Sequence, residues 1–353
     1  MAEEKPNNKN LIYYIEIAAV ILLICFAFFD DSDPIYQSDI VAANYDAKKD
    51  EAEGNWTSKK ESRKLARELL QKPYEQLKPL HNIIYRPKAG QWMTSHDEKG
   101  QAFFDYKKEK GSKLKSKNKL IYIKKVGTFT ESQDKVFNKT IEFIKLYFDC
   151  QVKLLEEATE SEIPKEFKRK NPYEGHTQVL TDYVLDELLL KKEKSIQEDA
   201  LAVIALTSFD LYPHDDWNFV FGQAYLNKKA GVWSIYRYGD PAESAESFTR
   251  CLLRTIKTAT HEISHTLGQE HCISYECNMN GSNSLKESDS KPLSLCPMCL
   301  NKLCWYLNID ATKRFEKLIT FCQNNGLENE ATFYKKSLTQ LISNQHQKDQ
   351  HSH

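Results

Sequence analysis

A chain of 353 residues, 41% hydrophobic and 28% charged, has enough apolar side chains to bury one large core or two ordinary ones. Its formal net charge of -1 excludes a global field aimed at nucleic acid or an acidic partner. With 12 glycines and 11 prolines it is neither collagen-like nor linker-dominated, so most of it is expected to fold.

In chain order, the first feature is Leu11–Phe29, an apolar run interrupted by Glu16 and long enough to cross a bilayer as a helix. Lys5 and Lys9 precede it and Asp30, Asp31 and Asp33 follow, which tilts the orientation towards a cytoplasmic N-terminus and an exocytoplasmic body. Residues 1–30 are therefore expected to be a membrane anchor, giving membrane association through 11–29. The alternatives are a signal peptide ending near Cys25-Phe26-Ala27, leaving a secreted protein, and a helix of a soluble cytoplasmic one. Residues 31–114 form a polar, lysine-rich lead-in with a helical stretch near Ser62–Gln71, broken by Pro87, Gly90 and Gly100.

A regular αβ pattern then starts. Lys119–Val126 alternates like a strand, Glu131–Phe148 has helical spacing, and Gln151–Leu155 is a short strand. Thr177–Glu193 predicts a helix, and the apolar run Leu201–Thr207 a buried strand. Val232–Tyr238 alternates and predicts an edge strand. From Glu243 to Leu267, apolar Phe248, Leu252, Leu253, Ile256, Ile263 and Leu267 recur at helical intervals, and Gly268 ends the run. Ala311–Asn324 and Leu327–Ile342 read as two closing helices, and the polar tail with His346, His351 and His353 as disordered. The expected domains are 1–30, 31–114, a main body over 115–310, closing helices over 311–343 and a tail over 344–353.

The end of the Glu243–Leu267 helix carries HExxHxxGxxH: His261, Glu262, His265, Gly268 and His271. Residues four apart share a helix face, so His261 and His265 can reach one zinc ion at about 2.0–2.1 Å. Gly268 tolerates a chain reversal that brings His271 round as a third ligand. Three protein ligands leave a fourth position open, the condition for catalysis. Zinc there would activate a water, and Glu262 would serve as general base for peptide-bond hydrolysis without a covalent intermediate.

Of nine cysteines, five fall between 272 and 304. Cys272 and Cys277, with Cys296 and Cys299, have the paired spacing of a structural zinc site, coordinatively full and contributing to folding. Reduced core cysteines or two disulfides are the alternative, and Cys304 is either a substitute ligand or, as such residues more often are, plain core. The expectation is two zinc ions per chain, one catalytic and one structural.

The run HExxHxxGxxHC, then CxM, then CxxC, resembles the archaemetzincin family of zinc metallopeptidases. Likeness extends upstream to TSFDLYP from Thr207, WNFVFGQ from Trp217 and Arg237-Tyr238-Gly239, so that roughly residues 115 to 310 are covered. The resemblance implies an α/β (α+β) metzincin-like fold: a twisted mixed sheet, an active-site helix and a subdomain held by cysteine-bound zinc. It also implies that His261, His265 and His271 hold the catalytic zinc, that Glu262 is the base, and that Met279 is the Met-turn residue below the histidines. A sheet edge, for which Val232–Tyr238 is the candidate, would align an extended peptide. Leu11–Phe29 lies outside the pattern.

Other features carry less. Asp210, His214, Asp215 and Asp216 could form another metal site, although turn roles suit such a segment better. The lysine runs at 107–118 and 164–170 lack interleaved aromatics, so no nucleic-acid partner is expected. The competing function is a catalytically silent, zinc-stabilised interaction module. The expected partner is a peptide or protein substrate.

Overall fold

A computed structural model describes residues 74–84, 86–114, 119–226 and 228–349. The run AVIALT from Ala202 to Thr207 is buried at every position, the pattern of an interior strand covered on both faces. The elements in chain order are α1 (Trp92–Ser95), α2 (Phe103–Lys110), β1 (Leu120–Val126), α3 (Glu131–Phe148), β2 (Gln151–Leu154), β3 (Lys168–Lys170) and β4 (Thr177–Leu180). There follow β5 (Ala202–Thr207), β6 (Asp210–Tyr212), β7 (Gly222–Ala224), β8 (Ala230–Ser234), α4 (Ala245–Thr266), α5 (Leu285–Asp289), α6 (Pro297–Leu307), α7 (Ala311–Asn324) and α8 (Glu328–Asp349).

Five strands form the main sheet in the order β2-β1-β5-β8-β7. The first four run parallel, with Ile121 opposite Ala202 and Ala205 opposite Val232, and β7 is antiparallel to β8. A smaller sheet, β3-β4-β6, lies beside it. On one face of the main sheet, α3, α4, α6 and the closing helices bury Phe143, Tyr147, Ile256, Ile263, Leu303 and Leu318. On the other, a π-helix over Tyr183–Lys191 packs Val184 and Leu188 against Val126, Val203 and Val232. Thr130 starts α3 with a capping box: its hydroxyl accepts from the Gln133 amide at 3.2 Å and its amide donates to the Gln133 side chain at 2.9 Å. Such a cap contributes about 1 kcal/mol. The fold is thus mixed α/β with mixed sheets, as expected.

Several expectations are corrected. Thr177–Glu193 is not one helix: Thr177–Leu180 pairs with β6, the buried Gln178 opposite Asp210, and the helical part begins at Tyr183. Tertiary pairing overrides the local propensity there. Val232–Tyr238 is not an edge strand. β8 ends at Ser234, is buried throughout between β5 and β7, and gives way to a turn at Tyr236–Tyr238. The sheet edge at that end is β7. The helix α8 runs on to Asp349, past Asn344, where a disordered tail was expected.

The expected Ser62–Gln71 helix and the Leu11–Phe29 segment lie outside the described residues. The single-pass membrane assignment with an exocytoplasmic domain is overturned: among the described residues no helix is long and apolar enough to cross a membrane. The longest described helices are too rich in charge to do so. Even the 22-residue α4 carries Glu246, Arg250, Arg254, Lys257 and Glu262.

Candidate active site

Helix α4 starts at Ser244, whose hydroxyl accepts from the Ser247 amide at 3.1 Å, and runs with its apolar stripe against the sheet. Its last turns carry His261 and His265 on one face. Gly268 follows with φ of +83°, a left-handed conformation costly for any residue with a Cβ. Its amide donates to the His265 carbonyl at 2.7 Å and the Gln269 amide to the Ser264 carbonyl at 3.1 Å, closing the helix and turning the chain back. His271 then faces the helix. Its Nε2 lies 3.2 Å from that of His261, which lies 2.9 Å from that of His265.

Each imidazole is held from behind. His261 Nδ1 donates to the Asn278 carbonyl and His265 Nδ1 to the Gln269 carbonyl, both at 2.7 Å, while His271 Nδ1 is in short contact with the Glu98 carboxylate. With every Nδ1 proton committed, three Nε2 lone pairs face one another. That arrangement repels itself unless a cation is shared, so these residues fit a metal. Burial lowers His261 to about 3, with the neighbouring His271 adding to the effect, which favours the neutral imidazole that ligates metal.

Glu262 is 5% exposed, and burial pushes its carboxyl up to about 8. Strand β7 comes so close that a Cβ on Gly222 would sit 2.6 Å from Glu262 Oε1. The approach of β7 is set by the smaller sheet. Arg169 donates to the carbonyls of Asp215 and Asn218, and Gln178 to that of Asn218, tethering the segment ahead of β7.

The lead-in supplies residues that sequence reasoning missed. Trp92 Nε1 donates to Glu98 Oε1 at 2.9 Å, and its ring lies edge-on to His271 with centroids 5.3 Å apart. Burial raises the Glu98 carboxyl, but hydrogen bonds from His271 and Trp92 outweigh it and leave the group below its ordinary value. Gln101 Nε2 donates to the Gly268 carbonyl at 3.1 Å, and the Tyr106 hydroxyl to that of Leu267 at 2.9 Å. No periodicity or motif marks Trp92 or Glu98. Asn278 was also missed. Its side chain donates to Thr260 Oγ1 at 2.8 Å, fastening to α4 the loop whose carbonyl holds His261.

Cys272, Cys277, Cys296 and Cys299 come together, their sulfurs within 4.8 Å of one another, all buried and in no disulfide. Cys272 and Cys296 sulfurs are 3.7 Å apart. A tetrahedron built on Zn–S bonds of about 2.3 Å has an edge of ~3.8 Å, so the set fits a metal as it stands. Backbone amides of Cys296 at 3.1 Å and Met279 at 3.5 Å donate to the Cys277 sulfur, as suits a thiolate. The loop is stitched by Asn280, which donates to the carbonyls of Cys272 and Tyr275 and accepts from the Cys277 amide at 2.8 Å. Met279 is fully buried in it, and Cys304 is not among the four.

Among the described residues these two clusters are the metal-ligand groups; the DLYPHDD segment does not form a third. Asp210 is fully buried and accepts from Arg237 Nε at 2.8 Å, Arg237 Nη2 at 2.7 Å, His176 at 2.8 Å and Gln178 at 2.7 Å. It is a structural anchor. His214 and Asp216 are exposed and pair with each other at 3.3 Å.

Residues 119–304 match peptidase family M54. The mouse (Mus musculus) protein archaemetzincin-2 is 33% identical over 278 residues, covering 70% of this chain and 76% of that protein. Human (Homo sapiens) archaemetzincin-2 is 33% identical over 289 residues, covering 73% and 79%. The chain belongs to the archaemetzincins. It is accordingly a zinc metallopeptidase, a hydrolase acting on peptide or protein substrates. The archaemetzincin of Methanopyrus kandleri, a solved structure, is 27% identical, covering 56% of this chain and 99% of that one, with a TM-score of 0.43. Leu11–Phe29 precedes the family match and contributes nothing to it.

Proposed function

We propose that His261, His265 and His271 bind the catalytic zinc through Nε2, that Glu262 is the general base, and that the four cysteines bind a second, structural zinc. The observation that carries this reading is the convergence of three Nε2 atoms whose Nδ1 atoms are all engaged, beside a buried carboxylate. Zinc, when bound, lowers the pKa of a coordinated water towards about 7 and polarises the scissile carbonyl.

The protein's own groups do the rest. Glu262 takes the proton of the attacking water on its carboxylate and passes it to the departing amine nitrogen. Glu262 is buried under Gly222, which shields a proton held there between the two transfers. Strand β7 is bonded to β8 on one side only, so its other edge can take an extended peptide as an added strand. Met279 forms the floor of the loop below the histidines. A silent interaction module gives no reason for the carboxyl group kept buried next to the histidines.

Metal analysis of the purified chain should give two zinc ions, and a value near one would remove one of the two sites from the proposal. Glu262→Gln should keep both ions while kcat falls by about 10²–10⁴-fold on a cleavable peptide. Undiminished turnover would show that another group serves as base.

A further inference from the structure

We propose that Glu98, seated by Trp92, is a positioning residue for hydrolysis, which makes the lead-in ahead of the matched peptidase region part of the catalytic unit. The proposal rests on the reading of His261, His265 and His271 as zinc ligands.

The three imidazoles are not held alike. His261 and His265 donate from Nδ1 to neutral backbone carbonyls, whereas His271 faces a carboxylate. A charged acceptor fixes the tautomer with its lone pair on Nε2 and raises the basicity of that nitrogen, so His271 becomes the strongest donor of the set. The pair is no surface ion pair: side-chain exposure is 19% for His271 and 22% for Glu98.

Glu98 is itself held in place. Trp92 Nε1 donates to the oxygen that contacts His271. The indole stacks on His96 with centroids 3.6 Å apart, and the Trp92 amide donates to the Glu287 carboxylate at 3.0 and 3.2 Å. Beneath the indole, Gly281 leaves the room it needs, since a Cβ there would sit 2.4 Å from the ring. Glu287 and Gly281 lie just beyond the Met279 loop, so this chain of contacts ties the lead-in to the segment that also carries the cysteine site. Glu98 lies ahead of residue 119, where the family match begins.

The test uses the full chain loaded with cobalt(II), as wild type, Glu98→Gln, Glu98→Ala and Trp92→Phe. A thiolate-to-cobalt charge-transfer band reports the cysteine site, and a nitrogen-ligated d–d band the histidine site. Competition with a chelator should show histidine-site affinity lowered about 10–100-fold in Glu98→Ala, with a shifted d–d band and an unchanged thiolate band. Glu98→Gln should fall between it and wild type, and Trp92→Phe should show a smaller loss in the same direction. On a peptide substrate the loss should appear in kcat and leave KM nearly unchanged.

Wild-type affinity and an unshifted band in both Glu98→Gln and Trp92→Phe would overturn the proposal. Those two variants decide the matter if Glu98→Ala does not fold. His261→Ala serves as the separate control. If it leaves the d–d band intact, the ligand assignment itself fails, whatever Glu98 does.

Discussion

Gly222 shows how one missing methyl group can govern a reaction. With a Cβ at that position 2.6 Å from Glu262 Oε1, the carboxylate and the strand cannot both stay where they are. Gly222→Ala is therefore expected to displace Glu262 from its buried site and lower kcat roughly 10²-fold with zinc content intact, a misplacement effect. Steady-state kinetics with metal analysis would check it, and an unchanged kcat would mean that the base lies elsewhere. Sequence reasoning found Gly222 inside the WNFVFGQ run but could not give its reason, which is a distance between two elements forty residues apart. His261, Glu262 and His265 were legible because helix geometry alone puts residues i and i+4 on one face. Glu98 was not. Its partner His271 stands 173 positions away, and no local rule reaches across that gap.

At the scale of elements, the loop from His271 to Cys296 has almost no regular structure of its own beyond the short α5, so its shape depends on cross-links. Cys296 caps α6 and its amide donates to the Cys277 sulfur. Cys296→Ser should therefore lower the thermal midpoint more than it lowers kcat at a permissive temperature, because a structural zinc contributes directly to folding. Equal losses in both would argue that the cysteine set takes part in chemistry.

Helix α4 offers a second test, one of pH. Burial lowers the Lys257 ammonium from 10.5 to about 8, while its Nζ donates to the carbonyls of Ser288 and Lys291. Between those two values the unfolded chain holds a proton that the native one has released, so stability rises with pH across that window. The penalty is present in full below about 8 and gone above 10.5. Denaturant titrations at pH 8 and 10 should show wild type gaining on Lys257→Met, and parallel curves would contradict the burial argument.

Across the whole molecule, the sheet order β2-β1-β5-β8-β7 decides what is core and what is edge. Ile204 sits fully buried in the middle of β5, and Ile204→Ala should cost about 2–5 kcal/mol, with the denaturant slope unchanged. A loss under 1 kcal/mol would place the main core elsewhere. The central strand β5 was legible, because a strand covered on both faces is a continuous apolar run, and α3 because its apolar residues recur at helical spacing. What failed was decided by pairing at a distance. Thr177–Leu180 became a strand because β6 was there to receive it, and Ala230–Ser234 moved to the interior because β7 folded back over it.

The span between Glu98 and His271 also has a meaning in time. During synthesis the acidic partner emerges early, the imidazoles some 160 residues later, and the last of the four clustered cysteines, Cys299, later still. A chain that has been made only as far as Thr260 carries Glu98 and the central strand but none of the three imidazoles. The site cannot assemble before His271 has been made, because only then can the long loop that unites its two ends close.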